Sequence, residues 1–521
     1  MADARRAGAD SRRAPPTGQL GAEDDHGLAH GDPAAGVVPP DPPAPAPRDP
    51  ALFDLSARAA ADLCPELAVP LVGFLEARGR LSPEEASRQR RALLDRTGLH
   101  DYAAAAHAAA GDAAAAAAAA ARAGPARARL AQLAAAARPM TEFLSHRDLA
   151  AKLRKDKAGN AAFLAEEFGI NAPQIEALQA YGLALLSAGR YRRASELLEQ
   201  YGNVATSADR AAEAAWGRLA GSILAAGAGP ADGGGPGAAA AAAAEPAAAG
   251  AGGDWGPAHG ALVALGDLLD ANRHGASPLN LHRQRARLLV WGLFVFHSHP
   301  AGRGALLDLA LSEPYLQAAQ TCAPWLLRYV AAATLAHRDR RQALRETLRA
   351  LRTAAPRPEG AGGAADPAAA AAAAAADPVC AFLLAVHGDH DLAAAHRLLR
   401  EAGPVLGGDF FLRHWRSGWE AAARSVVFEA TCRLRATVDL GGLAAALDLE
   451  PAEAERWVAE LAGRARVGAR VDAKGGRVVM GAPRRPPAEA LLDALRQLSV
   501  RTYVLADAVL ASAEPAVAGG A

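Results

Sequence analysis

The stretch Val438–Gly481, VDLGGLAAALDLEPAEAERWVAELAGRARVGARVDAKGGRVVMG, decides the fold because its first part has two helical patterns. Asp439 can cap a first helix, in which Leu440, Leu443, Ala444 and Leu447 fall on one face. Pro451 suits the first position of a second helix, where its missing N–H costs nothing. The apolar side of that second helix carries Ala454, Trp457, Val458 and Leu461.

After the second helix, the spacing of the apolar residues changes from the helical period to the alternation typical of strands. Arg470–Ala473 and Arg477–Met480 are short β-branched runs on either side of Lys474-Gly475-Gly476, which is a hairpin signal. Two helices followed by a hairpin predict a winged helix.

A winged helix can read nucleic acid or dock to another protein, and charge separates the two uses. A helix that enters the DNA major groove meets a dense array of phosphates and is usually basic. The outward face of the second helix is mixed and slightly acidic instead, with Glu453, Arg456, Glu460 and Arg464, and Glu455 beside them. We therefore expect a protein-docking module, and a nucleic-acid regulator is the less favoured alternative.

Composition places few limits on the rest of the chain. The 521 residues are 51% hydrophobic with zero formal net charge, so nothing pulls the whole chain toward nucleic acid or an anionic membrane. The four cysteines are far apart, which indicates neither a zinc site nor a disulfide scaffold. Met1–Pro50 lacks the apolar segment of a signal peptide, and no membrane span is predicted. We expect a cytoplasmic protein, with a nuclear pool left open.

Helical periodicity dominates from about Phe53 to Arg435. Gln174–Ser187 and Arg192–Gln200 flank a Gly189-Arg190-Tyr191 turn, and Asp377–Arg400 repeats this arrangement, as in tetratricopeptide-like repeats. The sequence therefore predicts an all-α, right-handed helical-repeat solenoid of the TPR/HEAT type. Leu288–Phe296, which is apolar on all sides, should lie between other helices.

No constellation indicates catalysis. His297-Ser298-His299 ends an apolar helix, and His387-Gly388-Asp389-His390 falls in a predicted turn, so neither has the ligand set of a metal site. We predict no catalytic, cofactor-binding or metal-binding residues, no cofactor and no small-molecule ligand. An enzyme is the least favoured class.

One charged pattern stands out. Five arginines recur at spacings of three and four and predict a stripe on one helix face: Arg338, Arg341, Arg345, Arg349 and Arg352. Such a stripe is either a solvated face or a contact with RNA or an acidic partner.

A solenoid leading into a winged helix resembles the PCI domain of subunits of the proteasome lid, the COP9 signalosome and eukaryotic translation initiation factor 3. Specific segments resemble the e subunit family of initiation factor 3, in order from about Asp54 to about Val509. They include 54–58, 69–75, 216–224, 291–303, 317–329, 409–412, 451–458, 471–481 and 498–502.

Composition and the resemblance together predict a domain plan, in which the extension and the Gly/Ala inserts come from composition and depart from the family pattern. Residues 1–50 are a disordered extension, and 51–278 are a helical-repeat region with a Gly/Ala insert at 225–256. The PCI domain is 279–482, of which 279–435 is helical with an insert at 356–377 and 436–482 is the winged helix. A C-terminal helix is expected over 487–513.

The resemblance also implies a function. The chain would be a non-catalytic scaffold of initiation factor 3 that supports pre-initiation complex assembly on the small ribosomal subunit and mRNA recruitment. It would bind sibling subunits through the winged helix and the C-terminal helix, where Leu491, Leu492, Leu495 and Leu498 form an apolar stripe. A PCI subunit of the proteasome lid or the COP9 signalosome is the alternative.

Overall fold

The computed structural model describes residues 48–150, 152–153, 156–228, 253–271, 277–354, 376–434, 437–447, 450–464, 469–472, 476–480 and 487–513. Over these ranges the chain is a succession of helices with one three-stranded sheet near its end, which confirms the predicted fold class. The first eleven helices are α1 Ser56–Asp62, α2 Pro65–Ala77, α3 Pro83–Leu94, α4 His100–Ala109, α5 Ala113–Ser145, α6 Arg147–Ala150, α7 Lys157–Phe168, α8 Ala172–Ser187, α9 Tyr191–Gly202, α10 Ala208–Ala228 and α11 Gly256–Ala271.

The remaining elements lead from the helical region to the winged helix. They are α12 Pro278–Ser298, α13 Gly302–Ala310, α14 Glu313–Cys322, α15 Leu327–Ala336, α16 Arg341–Ala354, α17 Pro378–Leu384, α18 Leu392–Gly408, α19 Arg416–Leu434, β1 Thr437–Asp439, α20 Leu440–Leu447, α21 Pro451–Arg464, β2 Ala469–Asp472, β3 Arg477–Met480 and α22 Pro487–Ala513. Most helices before the sheet pack on the next helix in the chain, as expected of a solenoid.

The first predicted helix pair is α8 with α9. Gly189 in the turn has φ of 80°, a conformation that glycine adopts without steric cost. The two helices approach closely at Gly182, where an added Cβ would lie 2.8 Å from a Leu198 methyl carbon. The short turn and the small residue together explain why this sequence folds back on itself here.

The second predicted pair, α17 with α18, has a different turn from the one expected. Ala385–Asp389 form a π-helical turn, and His390 rather than a glycine takes the left-handed conformation, with φ of 56°. The His390 ring compensates by bonding locally, since its Nδ1 lies 3.1 Å from the Val386 carbonyl oxygen. Asp391 then caps α18 by accepting a hydrogen bond from the Ala394 N–H.

The main hydrophobic core is centred on α12. Every residue from Leu288 to Phe296 is buried, as the sequence predicts. The same core takes in Leu67, Leu71 and Phe74 of α2 and continues as far as Val458 and Val478. A second core lies between α5 and α10. The boundary at residue 278 between the helical-repeat region and the PCI domain remains our proposal.

A buried ion cluster joins distant parts of this core. Arg328 of α15 is 2% exposed, and its Nε lies 2.7 Å from Asp377 Oδ2 while one terminal nitrogen lies 3.1 Å from Asp409 Oδ2. The other terminal nitrogen donates to the Phe53 carbonyl oxygen. Burial alone would lower the pKa of Arg328, but the charges of Asp377 and Asp409 raise it above its ordinary value. The cluster therefore stays charged.

Both carboxylates are also bonded to backbone N–H groups. Asp377 Oδ1 accepts from the Val379 N–H at 3.0 Å and so caps α17. Asp409 Oδ1 accepts from the N–H groups of Phe411 and Leu412 at 2.9 and 3.1 Å. Each buried charge is therefore matched by hydrogen bonds, which is the condition for a buried ion pair to be tolerated.

Replacing Arg328 by Ala should lower the free energy of unfolding by about 3–5 kcal/mol, because two buried carboxylates lose their cation. Urea denaturation of the full chain measures this. Arg340→Ala is the matched control, since Arg340 pairs with Asp308 at the surface and should cost less than about 1 kcal/mol. Equal losses in the two variants would contradict this account of the cluster.

Candidate protein-docking surface

The winged helix contains one strand more than the sequence predicts. The sheet order is β1-β3-β2, and β3 pairs antiparallel with both neighbours. Val478 at its centre is fully buried opposite Val438, whereas Val479 is 43% exposed. The hairpin is therefore confirmed, and Thr437–Asp439 adds a strand that the sequence analysis did not find.

The two helices of the module form as predicted. Asp439 caps α20, because its Oδ2 accepts a hydrogen bond from the Gly442 N–H at 2.7 Å. Ala444, Ala454 and Val458 are buried where α20 and α21 pack together. These contacts leave the opposite side of α21 to solvent.

That outward side of α21 carries mixed charge. Glu453, Glu455, Arg456 and Glu460 are all exposed. Three carboxylates and one guanidinium do not form a surface that attracts phosphates. The side of the winged helix that would enter a DNA groove therefore has a charge pattern that suits contact with a protein better than contact with DNA.

An aromatic contact attaches the module to the solenoid. Phe428 of α19 is buried, and its ring meets the half-buried Trp457 ring edge to face at 5.6 Å. Ala423 and Val427 lie on the buried side of α19, whereas Leu434 at its end is 57% exposed. The helix therefore contacts the winged helix through Phe428.

The C-terminal helix α22 leaves its large apolar side chains in solvent. All nine of them between Leu491 and Val509 are at least 52% exposed: Leu491, Leu492, Leu495, Leu498, Val500, Tyr503, Val504, Leu505 and Val509. Exposed apolar surface on this scale marks an interaction site.

The exposed apolar residues of α22 follow a heptad pattern longer than the stripe predicted from the sequence. Leu491, Leu495 and Leu498 are spaced by four and three, and the alternation continues through Thr502 to Leu505 and Val509. Such spacing places these side chains on one seam for contact with other helices. Leu505 and Val509 could not be predicted from the apolar run alone because Thr502 interrupts it.

The histidine motifs remain apart from any ligand set. His259 and His299 rings stack at 4.8 Å, while His297 turns inward between Tyr329 and Phe411. Burial lowers the pKa of His387, and Arg433 and His390 lower it further. Within the described ranges, no three His, Cys, Asp or Glu side chains come together as a metal site requires.

The predicted arginine stripe is divided in the structure. Arg338 lies before α16 instead of on it, and it pairs with Glu429 at 3.0 Å. Arg352 donates to the Gly388 carbonyl oxygen at 3.0 Å. Only Arg341, Arg345 and Arg349 remain as a series of exposed residues one turn apart.

Among the described helices, none is long and apolar enough to span a membrane.

Comparison with known proteins agrees with this architecture. Residues 54–183 match the family model described as eIF3 subunit 6 N terminal domain. The chain is 30% identical to the E subunit of eukaryotic translation initiation factor 3 of Aspergillus niger over 390 residues, which cover 73% of this chain and 76% of the relative. The chain belongs to the E-subunit family of eukaryotic translation initiation factor 3.

The match to this family covers most of the chain. The E subunit of initiation factor 3 of Arabidopsis thaliana is 29% identical over 470 residues, which are 88% of this chain and 96% of that protein. The corresponding protein of Aspergillus clavatus is 28% identical over 448 residues, covering 84% and 89%. The family recognised from the sequence is confirmed, and with it the role of a translation initiation factor 3 subunit.

Replacing Trp457 by Ala should loosen the winged helix without unfolding the solenoid. Loss of the ring contact with Phe428 should cost about 2 kcal/mol locally, less than for a fully buried Trp. Hydrogen exchange should accelerate within 437–480 and stay unchanged in α12. Trp457→Phe keeps an aromatic edge and should behave nearly as the parent chain; uniform acceleration across the chain would contradict the local attachment.

His297 should make the folded chain sensitive to acid. Burial, with a smaller effect of Arg303, lowers the pKa of His297 to about 3, and its Nε2 has neither solvent contact nor a hydrogen-bond partner in the described structure. Below about pH 6.5 the unfolded chain binds this proton and the folded chain does not, so stability falls by up to about 1.4 kcal/mol per pH unit.

Urea denaturation between about pH 7 and 4.5 tests this dependence. His297→Phe fits beside Tyr329 and Phe411 and should flatten the pH profile. His146→Phe, at an exposed position, is the control and should leave the slope unchanged. A His297→Phe profile as steep as that of the parent chain would assign the acid sensitivity to other groups.

Proposed function

We propose that this chain is a non-catalytic scaffold subunit of initiation factor 3. It binds sibling subunits through the winged helix and through α22, and it supports assembly of the pre-initiation complex on the small ribosomal subunit and mRNA recruitment. The proposal places the protein in the cytoplasm. Membership of the E-subunit family supports assembly with the other subunits of initiation factor 3. The exposed surfaces of the winged helix and of α22 indicate which elements make the contacts.

The observation that carries the proposal is the seam of α22. Leu495 and Leu498 are 52% and 58% exposed, although burial of the remaining surface would stabilise each by about 1–1.5 kcal/mol, half of the value for a fully exposed Leu. Heptad spacing is the pattern by which helices from separate chains pack into bundles. We infer that helices of sibling subunits cover this seam.

The winged helix supports the same proposal in a second way. Val479 is exposed on β3 beside a buried Val478, and the outward side of α21 is mixed in charge. Protein interfaces combine apolar contacts with a polar rim, whereas a DNA-reading helix needs a basic surface. This balance favours docking to protein over the nucleic-acid alternative.

Leu495→Asp with Leu498→Asp should release the chain from initiation factor 3, since two charges would be buried in the helix seam. Sedimentation of tagged full-length chain from cell extract, with mass spectrometry of co-sedimenting subunits, measures the release. The fold should persist because both side chains are already exposed.

Val500→Asp with Val504→Asp is the matched control, because these positions lie on the other side of α22 and are equally exposed. It should leave co-sedimentation largely intact. Normal co-sedimentation of the Leu495/Leu498 variant would contradict the seam as the contact. Co-purification of proteasome-lid or signalosome subunits instead of initiation-factor subunits would contradict the proposed assembly.

A further inference from the structure

The exposed side of α16 carries three arginines with no counter-charge. Arg341, Arg345 and Arg349 follow one another at intervals of four residues, and none of their side chains forms an ion pair or hydrogen bond with the described part of the chain. Some exposed arginines elsewhere do pair with a carboxylate on their own helix, as Arg138 does with Glu142. We call these three residues the arginine face.

The arginine face is electrostatically unfavourable for the isolated helix. Like charges at positions four apart repel each other along a helix surface. Arg341 is also the first residue of α16, where the helix dipole is positive, and the first turn has no acidic residue to offset it. An anion bound across the face would remove both penalties at once.

The one acidic residue of α16 and the carboxylate that pairs with Arg338 are already engaged. Glu346 on α16 accepts a hydrogen bond from Gln342 at 2.9 Å. Glu429 of α19 is held by Arg338 at 3.0 Å and by Arg433 at 3.7 Å. The positive charge of the face is therefore open to a partner outside this chain.

The side chains around the arginines indicate the class of that partner. Protein interfaces are anchored by aromatic and other large apolar residues, and the sequence of α16, RQALRETLRALRTA, contains no aromatic residue. Single-stranded nucleic acid is bound largely by stacking on aromatic rings, which α16 also lacks. What the face offers is a row of guanidinium groups about 6 Å apart, which suits phosphates.

We propose that Arg341, Arg345 and Arg349 bind the phosphate backbone of double-helical RNA. Duplex RNA is recognised mainly through its shape and its backbone, so contacts without base readout suffice. The inference names the chemistry by which this subunit would touch the small ribosomal subunit, and to that extent it rests on the proposed function.

The test measures binding of the full chain to a labelled RNA duplex of about 20 base pairs over a series of salt concentrations. The triple variant has Arg341→Gln, Arg345→Gln and Arg349→Gln. The slope of the logarithm of the association constant against the logarithm of the salt concentration should be smaller in magnitude by about three, one for each lost phosphate contact. Affinity at low salt should fall about tenfold or more. Gln forms helices about as well as Arg, so α16 should remain folded, which circular dichroism verifies.

The matched control removes the same charge elsewhere. Arg88→Gln with Arg138→Gln and Arg193→Gln replaces three exposed arginines that each pair with a carboxylate on their own helix. The control should change the salt slope by less than about one. Equal losses in the two variants, or unchanged binding in the arginine-face variant, would overturn the inference in favour of a nonspecific effect of charge.

Two further measurements separate the remaining outcomes. Polyglutamate binding as tight as RNA binding, with the same loss in the arginine-face variant, would overturn RNA as the partner and indicate an acidic protein. Co-sedimentation with initiation-factor subunits should be unchanged in the arginine-face variant. Failure of the parent chain to co-sediment would refute the proposed function, whereas failure of RNA binding alone would refute only this inference.

Discussion

The buried guanidinium of Arg328 constrains the structure more than any other single group. Arginine does not give up its proton in proteins, so its charge must be matched wherever it is buried. Its partners come from the Phe53 carbonyl, from Asp377 and from Asp409, which lie 275, 49 and 81 residues away in the sequence. The first helices, α15 and the ends of α17 and α18 can therefore pack in only one register.

The constraint extends from this cluster to the winged helix through aromatic contacts. Asp409 fixes the backbone of Phe411, whose ring meets Phe294 of α12 at 5.0 Å. Further along, Trp419 of α19 packs on Phe382 at 5.4 Å. The same helix then holds the winged helix through Phe428. The buried cluster and the winged helix are thus connected through one continuous hydrophobic core.

Local patterns predicted the elements, and long-range contacts decided what the sequence could not show. The Asp439 cap, the two helices and the hairpin could be predicted because each signal lies within a few residues. β1 could not, because three residues have no period of their own and depend on pairing with Val478. Arg338 was assigned to a helix stripe because spacing alone does not show that the chain turns before Arg341. The Arg328 cluster has no local signature at all.

Zero net charge conceals the distribution that matters for function. Some exposed arginines of the described chain pair with a carboxylate on their own helix, whereas the arginine face brings three without such a pair onto one side of a single helix. The α22 seam differs in the opposite way, through apolar side chains that the fold leaves uncovered. A cationic surface and an apolar seam attract different partners. If sibling subunits cover the α22 seam and a polyanion binds the arginine face, as we propose, the two contacts use separate surfaces of different chemistry and do not compete.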